Sequence, residues 1–352
     1  MNQPLRVGVA GYGVVGKRRR DYIDAHPNLQ TVAVCDQNFE SDGHFEDGIP
    51  YFTHYKSLLE QNLDALFVCL TNDINPDATI NGLENNLHVF CEKPPGRTVE
   101  DIERVIACAA RYPELKLKYG FNHRYHESIR DALAITHSGE LGRVLNMRGV
   151  YGKSKFISFD AASSWRTNRE IAGGGILLDQ GIHMVDLMRL FGGEFEDVHS
   201  FVENDFWNYD VEDNAYALMK SSKGIVAMLH STATQWRHVF NLDITLEKGA
   251  LSLGGILSGS KSYGAETLTV AWATEDDQGD PKEQMTTYKK DASWELEIAD
   301  FADAILQDRP IDEGSSIDAL RTMELVYRIY GADKKWKNRW NLNGNVSGES
   351  AP

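Results

Sequence analysis

The chain has 352 residues, a formal net charge of −16 and an ordinary globular composition, enough length for two domains with substantial cores. The negative field repels polyanions, so non-specific binding to nucleic acid or an anionic membrane is not expected, although one local site can still hold a small phosphorylated ligand. No apolar run reaches the roughly 18 residues of a membrane span, and the N-terminus enters a strand without a cleavable apolar leader, so a cytoplasmic protein is expected.

In chain order, "LRVGVAG" (5–11) reads as a strand, "VVGKRRRDYIDAH" (14–26) as a helix and "TVAVCD" (31–36) as a strand. "LDALFVCLT" (63–71) is a third strand, followed by a helix near Asn75 and Pro76, where proline suits a first turn. "LHVFCEKP" (87–94) is a fourth, and "TVEDIERVIACAARY" (98–112) is a helix with Thr98 as N-cap and Asp101 in its first turn. "LKLKYGFNHR" (115–124) is a fifth strand. Strands alternating with helices predict βαβ units and a doubly wound parallel sheet over residues 1–124.

The pattern then changes. After a helix near 125–138, runs at 144–154, 212–222, 224–234, 240–256 and 267–273 alternate with strand period and are joined by short turns. They predict a large, mostly antiparallel open sheet in an α+β domain over 125–335. A glycine-led helix at 175–191 and helices at 293–308 and 315–330 belong to this half. Residues 336–352 read as a polar tail, apart from Trp336 and Trp340. Cys35, Cys69, Cys91 and Cys108 form no CxxC pair and read as buried reduced thiols. His123 and His126 have no acid or cysteine at a familiar ligand spacing, so no metal is expected.

"GVAGYGVVG" holds Gly11-x-Gly13-x-x-Gly16, with Tyr12, Val14 and Val15 in the gaps. The motif follows a strand and opens a helix, and Asp36 ends the next strand 20 residues beyond Gly16. That context makes it the dinucleotide fingerprint of a Rossmann domain: glycines let the backbone approach a pyrophosphate at a helix N-terminus. Asp36 would accept hydrogen bonds from the adenosine ribose and repel a 2′-phosphate, which favours NAD over NADP. Lys17 to Arg20 read as a solvated helix face. "LTNDINPD" (70–77) lies at the carboxyl edge of the sheet, where ligands bind in such folds. Leu70, Thr71, Asn72 and Asn75 are candidates to touch the cofactor there; helix capping is the other reading.

"CEKPP" (91–95) brings Glu92 and Lys93 to the same edge. Proline after Lys93 holds its backbone extended or in a turn, and the bond is a candidate for the cis form. A lysine beside a nicotinamide can bond a substrate hydroxyl or carbonyl; a surface lysine in a loop fits this stretch equally. In "GGGILLDQGIHMVDL" (173–187), Asp179 and His183 are four apart and share a helix face. Histidine, with an ordinary pKa of roughly 6.5, suits removal of a hydroxyl proton. Asp179 could share substrate hydroxyls or orient the imidazole, and the glycines would let the helix start close to the cofactor. The segment alone also fits a capped core helix. Asp186, although four from Ile182, faces elsewhere and reads as structural.

Taken together, the fingerprint, "EKP" and "GGGILLDQGIHMVDL" resemble the glucose–fructose oxidoreductase and inositol dehydrogenase (Gfo/Idh/MocA) family, over nearly the whole chain. The resemblance implies an NAD-dependent oxidoreductase with Lys93, Asp179 and His183 lining the substrate site. "GFNHRYH" (120–126) and "SSWRTNREIAGGG" (163–175) also look like family segments. By that likeness Asn122 approaches the nicotinamide, Trp165 and Arg166 lie near cofactor or substrate, and Arg124 joins the substrate-binding residues. The implied substrate is a sugar, cyclitol or nucleotide-linked sugar. Two alternatives stand beside this: a non-catalytic NAD(P)-binding sensor, and an enzyme that keeps NADP bound and shuttles hydride between sugars. Retention of both Lys93 and His183 weighs against the first, and Asp36 against the second. Gln235, Trp236, Arg237 and His238 gather on one sheet edge, where they could hold a sugar or phosphate or form an oligomer contact. The contact is the favoured reading, and a homodimer or homotetramer through the second sheet is expected.

Overall fold

A computed structural model describes residues 3–156, 165–258, 261–276 and 278–342. Ser163 and Ser164, and residues 343–352 of the expected tail, lie outside the described residues. Strands β1 (Leu5–Ala10), β2 (Leu29–Cys35), β3 (Gly43–His44), β4 (Pro50–Phe52), β5 (Ala65–Val68), β6 (His88–Cys91) and β7 (Leu117–Tyr119) form one sheet in the order β3-β4-β2-β1-β5-β6-β7. Only the β3–β4 pair is antiparallel. Helices α1 (Val14–Ala25), α2 (Lys56–Leu59), α3 (Asn75–Glu84) and α4 (Val99–Ala109) connect the strands. Both faces of the sheet are covered, so the central strands are continuously apolar: Ala65, Leu66, Phe67 and Val68 are all fully buried. Strand order reverses between β1 and β5, and the glycine turn after β1 opens at that switch point. Thr98 caps α4 as expected, and Asp101 answers it in a capping box.

The second sheet follows α5 (Glu127–Ser138). Its strands are β8 (Val144–Gly152), β9 (Phe195–Glu203), β10 (Asn214–Ser221), β11 (Val226–Thr232), β12 (Val239–Leu246), β13 (Gly249–Gly254), β14 (Glu266–Trp272) and β15 (Lys282–Tyr288). They run in the order β15-β14-β13-β12-β8-β11-β10-β9, with only β11–β8 parallel. Between β8 and β9 come α6 (Arg169–Ala172), a π-helical turn at Leu177–Gly181 and α7 (Ile182–Gly192); α8 (Ser293–Leu306), α9 (Ser316–Ala332) and α10 (Lys334–Arg339) close the described chain. Helices α5, α7 and α9 pack on one face of the sheet. A Cβ on Gly149 of β8 would come within 2.5 Å of Met188 and 2.7 Å of Met184, so glycine is what lets α7 lie close to the sheet.

Four expectations are revised. β9 and β15 were not foreseen; β15 exposes every residue from Lys282 to Thr287, so it has no alternation to read. The strand expected over 115–124 stops at Tyr119, and Asn122–Tyr125 forms a 3-10 turn. Helix α8 falls in the sequence range of the second domain but packs on the first sheet, with Phe301 edge-on to Phe67 and Phe90 at 5.7 Å each. It also overturns the solvated reading for Arg19, which is fully buried and paired with Glu92 at 2.6 Å and with Glu297 of α8 at 2.7 Å, whereas Lys17 of the same run is exposed. The cysteines are free thiols, three buried and Cys69 partly so.

Candidate active site

The three glycines of the first turn have separate jobs. A Cβ on Gly11, at φ +92°, would sit 2.2 Å from the Cys69 carbonyl oxygen, and one on Gly16 would sit 1.8 Å from that of Gly11. One glycine therefore makes the tight turn and the other lets helix and strand close up. A Cβ on Gly13 would meet nothing within 4 Å, so the backbone is open on that side. Gly13 is the N-cap of α1 and no side chain caps the helix, which leaves its first-turn N–H groups at Val14 and Val15 to an anion. Asp36 is fixed beside this turn. One of its oxygens accepts the Tyr12 N–H at 2.8 Å, and the other accepts the Asn38 N–H at 2.9 Å and the Asn38 amide at 2.8 Å. A carboxylate has capacity for a further bond, so the residues present fit a dinucleotide.

The loops after β5 and β6 frame the cleft. Asn75 accepts the Leu70 N–H at 3.1 Å and donates to the Pro94 carbonyl at 3.3 Å, buckling the two loops together. The Thr71 carbonyl accepts from the N–H groups of Ile74 and Asn75, as a helix opening requires. Asn72 reaches across to the second domain and donates to the Ala172 carbonyl at 2.8 Å. The bonds of Thr71 thus open the helix, those of Asn75 join the two loops and that of Asn72 ties the domains; among the described residues no side chain caps α3. Glu92 is engaged by Arg19 rather than turned to the cleft. Asn122 donates to Ser293 Oγ at 3.0 Å and faces His123 Nδ1 with its oxygen at 3.2 Å.

Lys93 leaves β6 through a cis Lys93–Pro94 bond and donates through Nζ to the Asp179 carbonyl oxygen. The strand edge and the π-helical turn meet at this contact. Asp179 Oδ1 accepts from Arg166 Nε at 3.3 Å, and the Arg166 guanidinium lies over the Trp165 ring at 4.3 Å. Burial works to raise the Asp179 carboxyl, but Arg166, Lys93 and Lys153 prevail and hold it below its ordinary value. Burial pushes the Lys93 ammonium down, against the pull of Asp179 and Glu92.

His183 is 5% exposed and lies flat on His123, with ring centroids 3.7 Å apart and planes at 11°. His123 in turn contacts the Tyr151 hydroxyl through Nε2 at 3.1 Å. Burial, reinforced by His123, Lys93 and His126, holds His183 well below 6.5, so its imidazole is neutral at neutral pH. Among the described residues no hydrogen bond joins Asp179 to His183; the stack on His123, not Asp179, sets the imidazole plane. The π-helical turn adds a residue to the turn carrying Asp179, which displaces the simple four-residue register.

Other expectations change as well. The run Gly173–Gly175 lets three elements meet. A Cβ there would lie 2.6 Å from the Arg97 carbonyl oxygen, 2.3 Å from the Tyr330 hydroxyl and 2.1 Å from the Glu212 carbonyl oxygen, respectively. Arg124, expected to bind substrate, is instead in a buried fork with Asp186, two bonds of 2.7 Å each, and reaches Asp318 at 3.1 Å. Asp186 is structural, as read. The 235–238 cluster splits: Trp236 is exposed and packs edge-on to Phe206, whereas His238 contacts Ser154 at 3.0 Å and Ser262 at 2.8 Å. Sequence reasoning missed Lys153, Tyr151, Gln180 and Tyr263, whose hydroxyl bonds Gln180 at 3.3 Å. One signal was available: Met147, Gly149 and Tyr151 share the inward face of β8, and the alternation carries one residue past its end to Lys153, where a lysine is out of place.

A glycine turn at a topological switch point, a fixed carboxylate on the next strand and a lysine–carboxylate–imidazole cluster at the same edge define a nicotinamide-dependent oxidoreductase. Residues 5–121 match the oxidoreductase family with an NAD-binding Rossmann fold, and residues 129–252 match the GFO/IDH/MocA C-terminal domain. The chain belongs to this GFO/IDH/MocA family, whose members include NAD(P)-dependent sugar oxidoreductases, and it is an oxidoreductase of CH–OH groups. It is 28% identical to D-glucoside 3-dehydrogenase of Escherichia coli over 66% of this chain and 71% of the relative. It is 24% identical to levoglucosan dehydrogenase of Pseudarthrobacter phenanthrenivorans, over 81% and 80% of the two chains. A solved structure of levoglucosan dehydrogenase with NADH and levoglucosan shares the fold, with a TM-score of 0.81 at 20% identity over 95% of this chain and 98% of that one. No helix among the described residues is long and apolar enough to cross a membrane.

Proposed function

We propose that this protein oxidises a ring hydroxyl of a sugar, cyclitol or nucleotide-linked sugar to the ketone, and reverses the reaction, with NAD preferred to NADP. The observation that carries the reading is the convergence of Lys93, Asp179 and His183 at the carboxyl edge that also holds the glycine turn. The bound nicotinamide supplies the hydride acceptor. Lys93 holds the reacting oxygen, trading its bond to the Asp179 carbonyl for one to substrate, and its lowered pKa eases passage of a proton. The neutral imidazole of His183 accepts the hydroxyl proton. Asp179, fixed by Arg166 at 3.3 Å, accepts from a neighbouring hydroxyl and sets the ring's orientation.

The NAD preference rests on Asp36 and on the engagement of the nearest arginine. Arg20 donates to the Tyr12 hydroxyl at 2.9 Å and pairs with Asp24 and Asp47, so it is not free to receive a 2′-phosphate. The relatives named for dehydrogenation of a glucoside and of levoglucosan support the substrate class. The test is reduction of NAD by the purified protein against free and nucleotide-linked sugars; absence of turnover across both panels refutes the reading. We also infer association through the open face of the second sheet. Phe201, Tyr216, Leu218 and Met228 are exposed there and stand opposite one another across β9, β10 and β11. Sedimentation equilibrium giving a monomer would reject it.

A further inference from the structure

Four polar atoms of the cleft are buried and lack a hydrogen-bond partner among the described residues: Lys153 Nζ, Asp179 Oδ2, Gln180 Nε2 and His183 Nδ1. Orphaned buried groups are costly, and a ligand rich in hydroxyls would satisfy most of them. The charges, however, are unequal. Asp179 is a single carboxylate among Lys93, Lys153 and Arg166. Arg166 bonds it directly, and Lys93 is committed to its carbonyl oxygen. Lys153, 5% exposed just past the end of β8, has no hydrogen-bond partner for its Nζ among the described residues. The charges that act on it are Asp179 on the π-helical turn, Lys93 at the end of β6 and Arg166, and it in turn acts on His238 just before β12. Among the described residues no second carboxylate acts on Lys153, and the stacked His123 and His183 are neutral. A neutral polyol would leave this buried cation without a counter-charge.

Resting on the oxidoreductase reading above, we propose that the substrate ring carries a carboxylate and that Lys153 receives it, so that the enzyme acts on sugar acids of the hexuronate class in preference to neutral sugars. One ammonium matches one carboxylate, whereas a phosphate dianion would need a second cation, and of the other two Arg166 bonds Asp179 while Lys93 takes the reacting oxygen. Burial, with Lys93 and Arg166, pushes Lys153 down to about 7 against the pull of Asp179. Below that value the ammonium is present to meet the anion; above it, an arriving carboxylate draws a proton on to the amine.

Matched pairs test this: D-glucuronate against D-glucose, D-galacturonate against D-galactose, and UDP-glucuronate against UDP-glucose, each with NAD. A charge-assisted bond at a buried site predicts kcat/KM higher by roughly 10–100-fold for at least one acid over its neutral partner. Lys153→Gln should collapse that ratio towards one while fluorescence titration shows NADH binding intact. Calorimetry at pH 8 with NADH present, in two buffers of different ionisation enthalpy, should show proton uptake on binding the acid in the wild type and none in Lys153→Gln. If neutral sugars turn over as well as their acids, or if Lys153→Gln keeps the ratio, the inference fails while the oxidoreductase reading stands. Preference for glucose 6-phosphate over glucuronate, or binding of no acid, also overturns it. Acid binding with Lys153-dependent proton uptake but no hydride transfer upholds the inference and sinks the oxidoreductase reading instead.

Discussion

Glu212 is fully buried and ties down the segment that carries Asp179 and His183. One carboxylate oxygen accepts the Leu177 N–H at 2.9 Å and the Tyr330 hydroxyl at 2.7 Å, and the other accepts the Gly175 N–H at 2.7 Å. In Glu212→Gln the amide oxygen can keep the side with two donors, and the new NH2 then faces the Gly175 N–H. A buried unpaired donor costs about 1–3 kcal/mol. Part of this is returned, because burial disfavours the wild-type charge and raises its carboxyl above the ordinary value. The net loss should be about 1–2 kcal/mol, read as a lower urea midpoint with unchanged slope. Tyr330→Phe removes one donor and leaves the Leu177 N–H bonded, so it should cost less. The raised carboxyl fixes the sign of the pH dependence: its contribution is fullest below the unfolded value and is lost as pH rises through the folded value, so the wild type's margin over Glu212→Gln narrows as pH rises. Loosening this tether should also lower kcat/KM for sugar oxidation more than it weakens NAD binding, because the glycine turn lies on the other domain. A Gln variant with wild-type midpoint and wild-type kcat/KM would refute the idea that Glu212 positions the segment.

His183→Ala should lower kcat by roughly 10²–10⁴-fold with NAD affinity unchanged. Because His183 is held well below 6.5, the limb of wild-type kcat/KM near pH 7 should be a fall on the alkaline side, as the Lys153 ammonium is lost, and it should survive His183→Ala and move with Lys153; an acid limb at 6.5 that vanishes in His183→Ala contradicts the burial argument. Asp36→Ala with Gln37→Arg should shift fluorescence-titrated affinity towards NADP, and unchanged selectivity would remove Asp36 from the specificity argument. Arg124→Met leaves the buried Asp186 only Thr322 at 3.1 Å and Arg189 at 4.0 Å, so it should destabilise by about 3 kcal/mol in urea, the low end for a broken buried pair. A rise in KM at unchanged stability would instead restore Arg124 to the substrate site.

What could be read from the chain before folding divides along physical lines. The glycine turn and Asp36 were legible because each acts through local backbone geometry: a positive φ at Gly11, a close approach at Gly16 and an open side at Gly13 need no distant partner to be inferred. Lys93 was legible for a related reason, since a strand end followed by proline fixes where its backbone goes. The partnerships of Arg19, Arg124 and Glu212 were not legible. Their counterparts are separated from them by 73, 62 and 118 residues (Glu92, Asp186 and Tyr330), and no spacing rule reaches so far. The Asp179–His183 pair falls between the two cases. Four-residue spacing correctly placed both residues in one segment at the cleft, but the inference that one orients the other assumed an unbroken α-helix. The sequence there is "GGGILLDQG", and the glycines admit Arg97, Tyr330 and Glu212 against the backbone. Those contacts hold the segment from outside, and the chain takes a π-helical turn through Leu177–Gly181 before α7 begins. The carboxylate is thereby handed to Arg166, while the imidazole is left to stack on His123. Two residues that a helical wheel would join take separate partners instead, and one Asp179 oxygen and one His183 nitrogen are buried without a hydrogen-bond partner among the described residues.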